Sequence, residues 1–146
     1  MSKIFHISEA ASLALHSLTL IAQEGRQLST HDIATQTGFS KNHLSKVLQI
    51  LVRNGYLQST RGPKGGFVLS LQPEYITLLE IYELFEGKLT QQICSLHGNS
   101  ACPFNECLFG KLNKDFSTAF YKHMKHKTIE QLINKKTHHE KNHNKN

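Results

Sequence analysis

Tryptophan is absent from this 146-residue chain, no apolar run approaches eighteen residues, and cysteine is confined to three positions. Without tryptophan, a core drawn from 38% hydrophobic residues is modest, and one shared across a dimer would suit so short a chain. The length fits one domain, or one small domain with an appended arm. The missing apolar run excludes a transmembrane helix. The opening Met1-Ser-Lys-Ile-Phe-His-Ile-Ser-Glu9 has neither the apolar stretch nor the small-residue cleavage site of a signal peptide. Together with an odd thiol count, this predicts a protein of the reducing cytoplasm. Enzyme signatures are missing too: there is no acid/base pair at a loop mouth, no nucleophile motif and no phosphate-binding loop of the required form.

Charge is present but unevenly spread. Residues 1–72 hold seven Lys/Arg against three Asp/Glu, a balance of +4. Residues 73–134 hold six against seven, and residues 135–146 hold four against one. The basic excess therefore lies in the N-terminal half and the tail, which points to a polyanionic partner, most simply nucleic acid.

The helical signals begin at Ser8. From there to about Gln23, Leu13, Ala14, Ser17, Leu18 and Ile21 form an apolar or small stripe, with Glu9, Ser12, His16, Thr19 and Gln23 opposite, before Gly25 ends the helix. Ser29, followed three residues on by Asp32, caps a short helix to Thr37, and Gly38 supplies a tight left-handed turn. Ser40 caps a third helix to about Asn54, in which Leu44, Val47, Leu48 and Leu51 are spaced to face inward. Helix, glycine turn and helix at this spacing form a helix-turn-helix. The outward positions of its second helix, Lys41, Asn42, His43, Ser45, Lys46, Gln49 and Arg53, are polar or basic, the types that reach base edges and phosphates in a major groove.

Two stretches of strand composition follow, Tyr56–Thr60 and Phe67–Leu71, around Arg61-Gly-Pro-Lys-Gly-Gly66. This predicts a β-hairpin wing whose Arg61 could enter a minor groove and whose Lys64 adds charge. The glycine-rich turn lacks the Gly-Lys-Ser/Thr ending of a nucleotide-binding loop. Thr77 and Glu80 form a capping box for a helix to about Glu86, closed by Gly87. A longer helix is expected from Leu108 to His126, roughly 30 Å, with Leu112, Phe116, Ala119, Phe120 and His123 along one side. Such a stripe suits burial between two helices of a homodimer. Thr128-Ile-Glu-Gln131 would cap a last short helix, and residues 135–146 carry no apolar residue, the composition of a disordered tail.

Between the last two long helices lie Cys94, Cys102 and Cys107, within fourteen residues. Three thiols in one loop make a poor disulfide framework but a good partial cage for a soft metal centre, since thiolates hold iron–sulfur clusters and zinc. Their spacing is too wide for the C-x2-C knuckles of most zinc sites.

In this order, Ser40-Lys-Asn-His-Leu44 with Lys46, Arg61-Gly-Pro-Lys-Gly-Gly-Phe67, the three-cysteine loop and Lys127-Thr-Ile-Glu-Gln-Leu132 resemble the winged-helix regulators typified by the iron–sulfur cluster regulator and the nitric-oxide-sensing repressor. The resemblance covers about residues 5–134. It implies a mainly α fold with a small β wing, a winged helix-turn-helix with a long C-terminal dimerisation helix. It implies residues 1–75 as the DNA-binding domain, 76–134 as the cluster-binding loop and dimerisation helices, and 135–146 as a basic tail. The implied function is a repressor of a palindromic double-stranded operator, reading DNA through Ser40, Lys41, Asn42, His43, Ser45, Lys46, Arg61 and Lys64. The three cysteines would hold a two-iron or four-iron cluster whose state sets operator affinity, in response to nitric oxide, redox state or cluster supply.

Two family ligands are missing. The position of a histidine three residues past the last cysteine is Gly110, and the acidic position of the partner's first helix is Ser12. Glu9 and His16 lie about one turn either side of Ser12, and His97 lies inside the loop. His16 is the favoured fourth ligand, because a neutral imidazole replaces thiolate in Rieske-type centres. The alternative is a cluster-free winged-helix repressor controlled by thiol oxidation or by a protein partner. A structural zinc module is a third reading.

Overall fold

The computed structural model describes residues 7–89 and 103–133. Cys94, Cys102, His97 and the tail from residue 135 lie outside the described residues. Among the described residues, five α-helices and one hairpin are arranged in chain order: α1 (Glu9–Glu24), α2 (Thr30–Thr37), α3 (Lys41–Arg53), β1 (Leu57–Thr60), β2 (Gly66–Leu69), α4 (Leu78–Glu86) and α5 (Leu112–His126). Single 3-10 turns at Pro73–Tyr75 and Glu130–Leu132 complete the described elements.

Capping sets the helix starts. The Ser8 hydroxyl accepts from the Ala11 N–H, and both Ser29/Asp32 and Thr77/Glu80 form reciprocal capping boxes. α1 is the central helix: Leu13, Ala14, Leu18 and Ile21 are buried against Leu44, Val47, Leu48 and Leu51 of α3 on one side. Leu78, Leu79 and Ile81 of α4 close the other, with Met124 of α5 and Ile129 completing one continuous core. Burying each such side chain is worth about 1.5–3 kcal/mol, so this shared core, rather than any single helix's propensity, fixes where α3 points.

β1 and β2 pair antiparallel, Leu57 opposite Leu69 and Thr60 opposite Gly66. Leu28, in the α1–α2 connection, adds a bridge to Phe67, exchanging N–H···O bonds of 3.1 and 2.8 Å. The hairpin is thus stitched to the helical core along one edge. A second bridge joins Thr77 to Thr128.

Two expectations are corrected. The helix after the cysteines begins at Leu112, not Leu108, and its fifteen residues span about 22 Å. The cause is Gly110, whose φ of 54° is left-handed, with the Gly110 N–H donating back to the Cys107 carbonyl in a separate turn. The expected last helix is reduced to the 3-10 turn at Glu130–Leu132. Thr128 is engaged in its bridge and the Ile129 N–H donates to the Ile76 carbonyl, so the chain arrives extended and only one turn can follow.

Candidate nucleic-acid interface

The turn between α2 and α3 depends on Gly38 at φ 76°, followed by the half-buried Phe39 and then Ser40. At the start of α2, the Asp32 carboxylate accepts from both the N–H and the hydroxyl of Ser29, which lowers its pKa. In α3 the sorting of side chains is complete: Leu44, Val47, Leu48 and Leu51 are buried, while Lys41, Asn42, His43, Ser45, Lys46, Gln49 and Arg53 are all exposed. One basic and polar face is therefore held outward by an apolar face that cannot rotate without emptying the core.

Individual side chains on that face have different commitments. Ser45 donates its hydroxyl to the Lys41 carbonyl at 2.9 Å, so only its acceptor capacity faces outward. The Ser40 hydroxyl makes no capping hydrogen bond, unlike those of Ser8, Ser29 and Thr77. His43 Nδ1 lies 3.1 Å from Glu9 Oε1.

The wing presents Arg61 and Lys64, both exposed, around Gly62 at φ 110°. Its turn is closed by the Gly65 N–H donating to the Gly62 carbonyl at 2.9 Å. An open cleft of about 420 Å³ runs between the wing, the start of α2 and the first turns of α3, lined by residues including Thr30, His31, Lys41, Ser45, Gly62 and Gly65. The structure thus brings Lys41 and Ser45 together with the wing turn that carries Arg61 and Lys64. It also adds Thr30 and His31, which the sequence reading passed over because they sit in the first turn of α2 with no pattern marking them as outward.

Of the expected metal ligands, Cys107 and His16 are described. Cys107 is an exposed free thiol. His16, also exposed, donates from Nδ1 to the Ser12 carbonyl at 2.7 Å, and its ring stands edge-on to Phe39 with centroids 5.5 Å apart. With Nδ1 so engaged, Nε2 carries the lone pair of the neutral ring. Among the described residues, no three His, Cys, Asp or Glu side chains converge in a group able to hold a metal ion. No described helix is long and apolar enough to cross a membrane.

Residues 7–135 match the Rrf2 family, described as an iron-dependent transcriptional regulator. The chain belongs to the Rrf2 family. This Rrf2 protein is a winged helix-turn-helix, DNA-binding transcription regulator. It is 26% identical over 133 residues to the regulator IscR of Pectobacterium atrosepticum, covering 90% of this chain and 76% of that one. A stretch of 69 residues is 48% identical to the HTH-type regulator BadM of Rhodopseudomonas palustris, 47% of this chain and under half (44%) of that protein's length. The fold matches that of CymR, the global cysteine regulator of B. subtilis, with a TM-score of 0.72 at 23% identity over 88% of this chain and 96% of that one.

Proposed function

We propose that this Rrf2 protein is a homodimeric repressor of a palindromic operator, and that the chemical state of Cys94, Cys102 and Cys107 sets its affinity for DNA. Residues 1–75 form the DNA-binding part and residues 76–134 the sensing and dimer-forming part. α3 enters the major groove with Ser40, Lys41, Asn42, His43, Ser45 and Lys46, while Arg61 and Lys64 of the wing reach the adjacent minor groove and backbone. The observation that carries the DNA half is the sorting of α3, with its polar face wholly exposed beside the wing cleft. For the dimer, support comes from the apolar side chains left on the surface around the start of α5: Leu108 is 75% exposed and Leu112 67%.

For the sensing half, thiol chemistry without a cluster is the first reading, carried by the exposed free thiol of Cys107. A peroxide would oxidise Cys107 and a second loop cysteine to a disulfide, taking up two electrons and two protons and leaving as two waters from hydrogen peroxide, or as one alcohol and one water from an alkyl hydroperoxide. CymR, described as a cysteine regulator, shares the fold. The second reading, an iron–sulfur cluster, is favoured by three thiols within fourteen residues, by the free Nε2 of His16 and by the likeness to IscR. Cys94, Cys102, Cys107 and His16 would be its ligands, and the cluster would supply a redox- and nitric-oxide-reactive centre.

Visible absorption and iron and sulfide analysis of anaerobically purified protein separate the readings. Colourless protein that loses two hydrogens by mass on peroxide treatment, with a parallel loss of operator binding, supports thiol control. Brown protein with stoichiometric iron and sulfide sinks it and establishes the cluster, and His16→Ala should then shift the spectrum and shorten cluster lifetime. For the DNA half, Lys46→Ala should flatten the salt dependence of binding by about one unit. Operator affinity unchanged in a combined Asn42→Ala, Ser45→Ala and Lys46→Ala variant would remove α3 from the interface.

A further inference from the structure

Glu9 is the first residue of α1 and His43 the third of α3, thirty-four residues apart in sequence, yet their side chains meet at 3.1 Å. A carboxylate only accepts, so His43 Nδ1 carries the hydrogen and donates it. That bond selects both the ring's orientation and its tautomer. Nδ1 is turned toward α1, and Nε2, on the far edge of the ring, is left as an acceptor in the neutral imidazole.

Glu9 is the member of the pair whose backbone is anchored, while its side chain is 68% exposed. Its backbone follows Ser8, which is held twice: the Ser8 hydroxyl accepts from the Ala11 N–H at 3.2 Å, and the Ser8 N–H donates to Glu86 Oε1 of α4 at 2.9 Å. The His43 side chain, 55% exposed, stands on the outward face of α3 among Lys41, Asn42 and Lys46.

We propose that Glu9 is a positioning residue for base recognition, holding His43 so that Nε2 is offered to the major groove as a hydrogen-bond acceptor. The groove's donors to such an atom are the exocyclic amino groups of adenine and cytosine. Guanine O6 and N7 and thymine O4 are acceptors and are rejected by a lone pair. Without Glu9 the ring is free to turn over and exchange tautomers, so His43 accepts from one base and donates to another and the discrimination fades. Glu9 also places a negative charge beside a phosphate-binding face. Its removal therefore changes two quantities in opposite directions: selectivity at one base pair falls, while affinity for unrelated DNA rises. The proposal rests on α3 being the base-reading helix.

The test uses the full chain at pH 8, where an ordinary imidazole is neutral. An operator is selected from a random duplex pool, every base pair is then varied, and binding is measured for the wild type, His43→Ala, Glu9→Ala, Glu9→Gln and the double alanine variant. Wild type is expected to prefer adenine or cytosine about tenfold at one position of each half-site. Glu9→Ala should reduce that preference to about twofold at that position alone and raise non-specific affinity two- to threefold. Glu9→Gln, which keeps an acceptor and drops the charge, should retain the preference. In the His43→Ala background, Glu9→Ala should cost no further selectivity. Unchanged base preference in Glu9→Ala, an equal loss in Glu9→Gln, or a uniform loss at every position overturns the proposal while leaving α3 as the reading helix. Unchanged selectivity in His43→Ala removes His43 from base contact and the proposal with it.

Discussion

The side-chain amide of Gln27 donates to the carbonyl oxygen of Lys64, 2.5 Å away and thirty-seven residues on, joining the α1–α2 connection to the tip of the wing. A two-stranded hairpin is marginally stable by itself, and its tip would wander. Here Gln27 and the neighbouring Leu28–Phe67 bridge hold that tip beside the cleft at the start of α3. Gln27→Ala is therefore expected to weaken operator binding about three- to tenfold, the value of one lost hydrogen bond of about 1 kcal/mol expressed through the wing. Global stability should barely change. Competition binding alongside a urea melt checks this, and equal operator affinity would show that the wing is placed without Gln27.

Gly66 is required for a different reason. A Cβ there would lie 2.6 Å from the Leu28 carbonyl oxygen and 2.7 Å from its carbon. Both are backbone atoms, so no side chain can swing aside. Gly66→Ala should push β2 from the core and cost about 1–3 kcal/mol of stability, as overpacking does. A denaturation midpoint equal to that of wild type would show that the strand yields freely.

Ser17 should respond in the opposite direction. It is fully buried in α1, and its hydroxyl has no hydrogen-bond partner among the described residues. A buried, unpaired hydroxyl costs free energy that alanine does not, and alanine is also the better helix former. Ser17→Ala is expected to stabilise the protein by about 1 kcal/mol in urea denaturation. A destabilised variant would reveal a polar partner for this hydroxyl.

Alkaline stability follows from Tyr56 and Tyr82. Burial raises the pKa of the Tyr56 phenol, helped by the charge of Glu80 and by a 3.3 Å hydrogen bond to it, and burial with Glu86 raises that of Tyr82. A folded-state pKa above the unfolded value of about 10 means that unfolding releases protons once the pH passes 10. The contribution is therefore complete below about pH 10 and lost as the pH rises through the folded values. Thermal melts from pH 8 to 11 should show Tm falling at the alkaline end, with a shallower fall in a Tyr56→Phe, Tyr82→Phe variant. Identical slopes would assign the fall to other groups.

What the sequence revealed and what it hid divide by range. Ser29 and Thr77 were readable as caps because their partners lie three residues away, whereas Ser40, read as a cap in the same way, makes no side-chain capping bond; the Leu44, Val47, Leu48 and Leu51 stripe gave the inward face of α3 directly. The start of α5 was misplaced because Leu108 and Phe109 continue the apolar spacing, while the left-handed turn at Gly110 leaves no periodic trace. Contacts of long separation, Glu9 with His43 and Gln27 with Lys64, follow from the packing of α1 on α3 and of the wing on the core. No local pattern could supply them. The candidate reading face was therefore legible as a list of residues, and its internal commitments only as a structure.

The bridge between Thr77 and Thr128 has an evolutionary consequence. The Leu78 N–H donates to the Lys127 carbonyl and the Ile129 N–H to the Ile76 carbonyl, both at 2.9 Å, so the chain leaves the winged head and returns to it through a single knot. Between these ends α4 and α5 stay packed in the core through Leu78, Leu79, Ile81 and Met124, so the excursion with fixed ends is the connection between Gly87 and Lys111, in whose sequence the cysteines fall. Doubling the length of a closed loop costs only about 0.6 kcal/mol. Residues can then be gained or lost in the excursion without moving its two ends. A lineage built this way is free to alter the number and spacing of its thiols while the winged head that holds the double helix stays as it was.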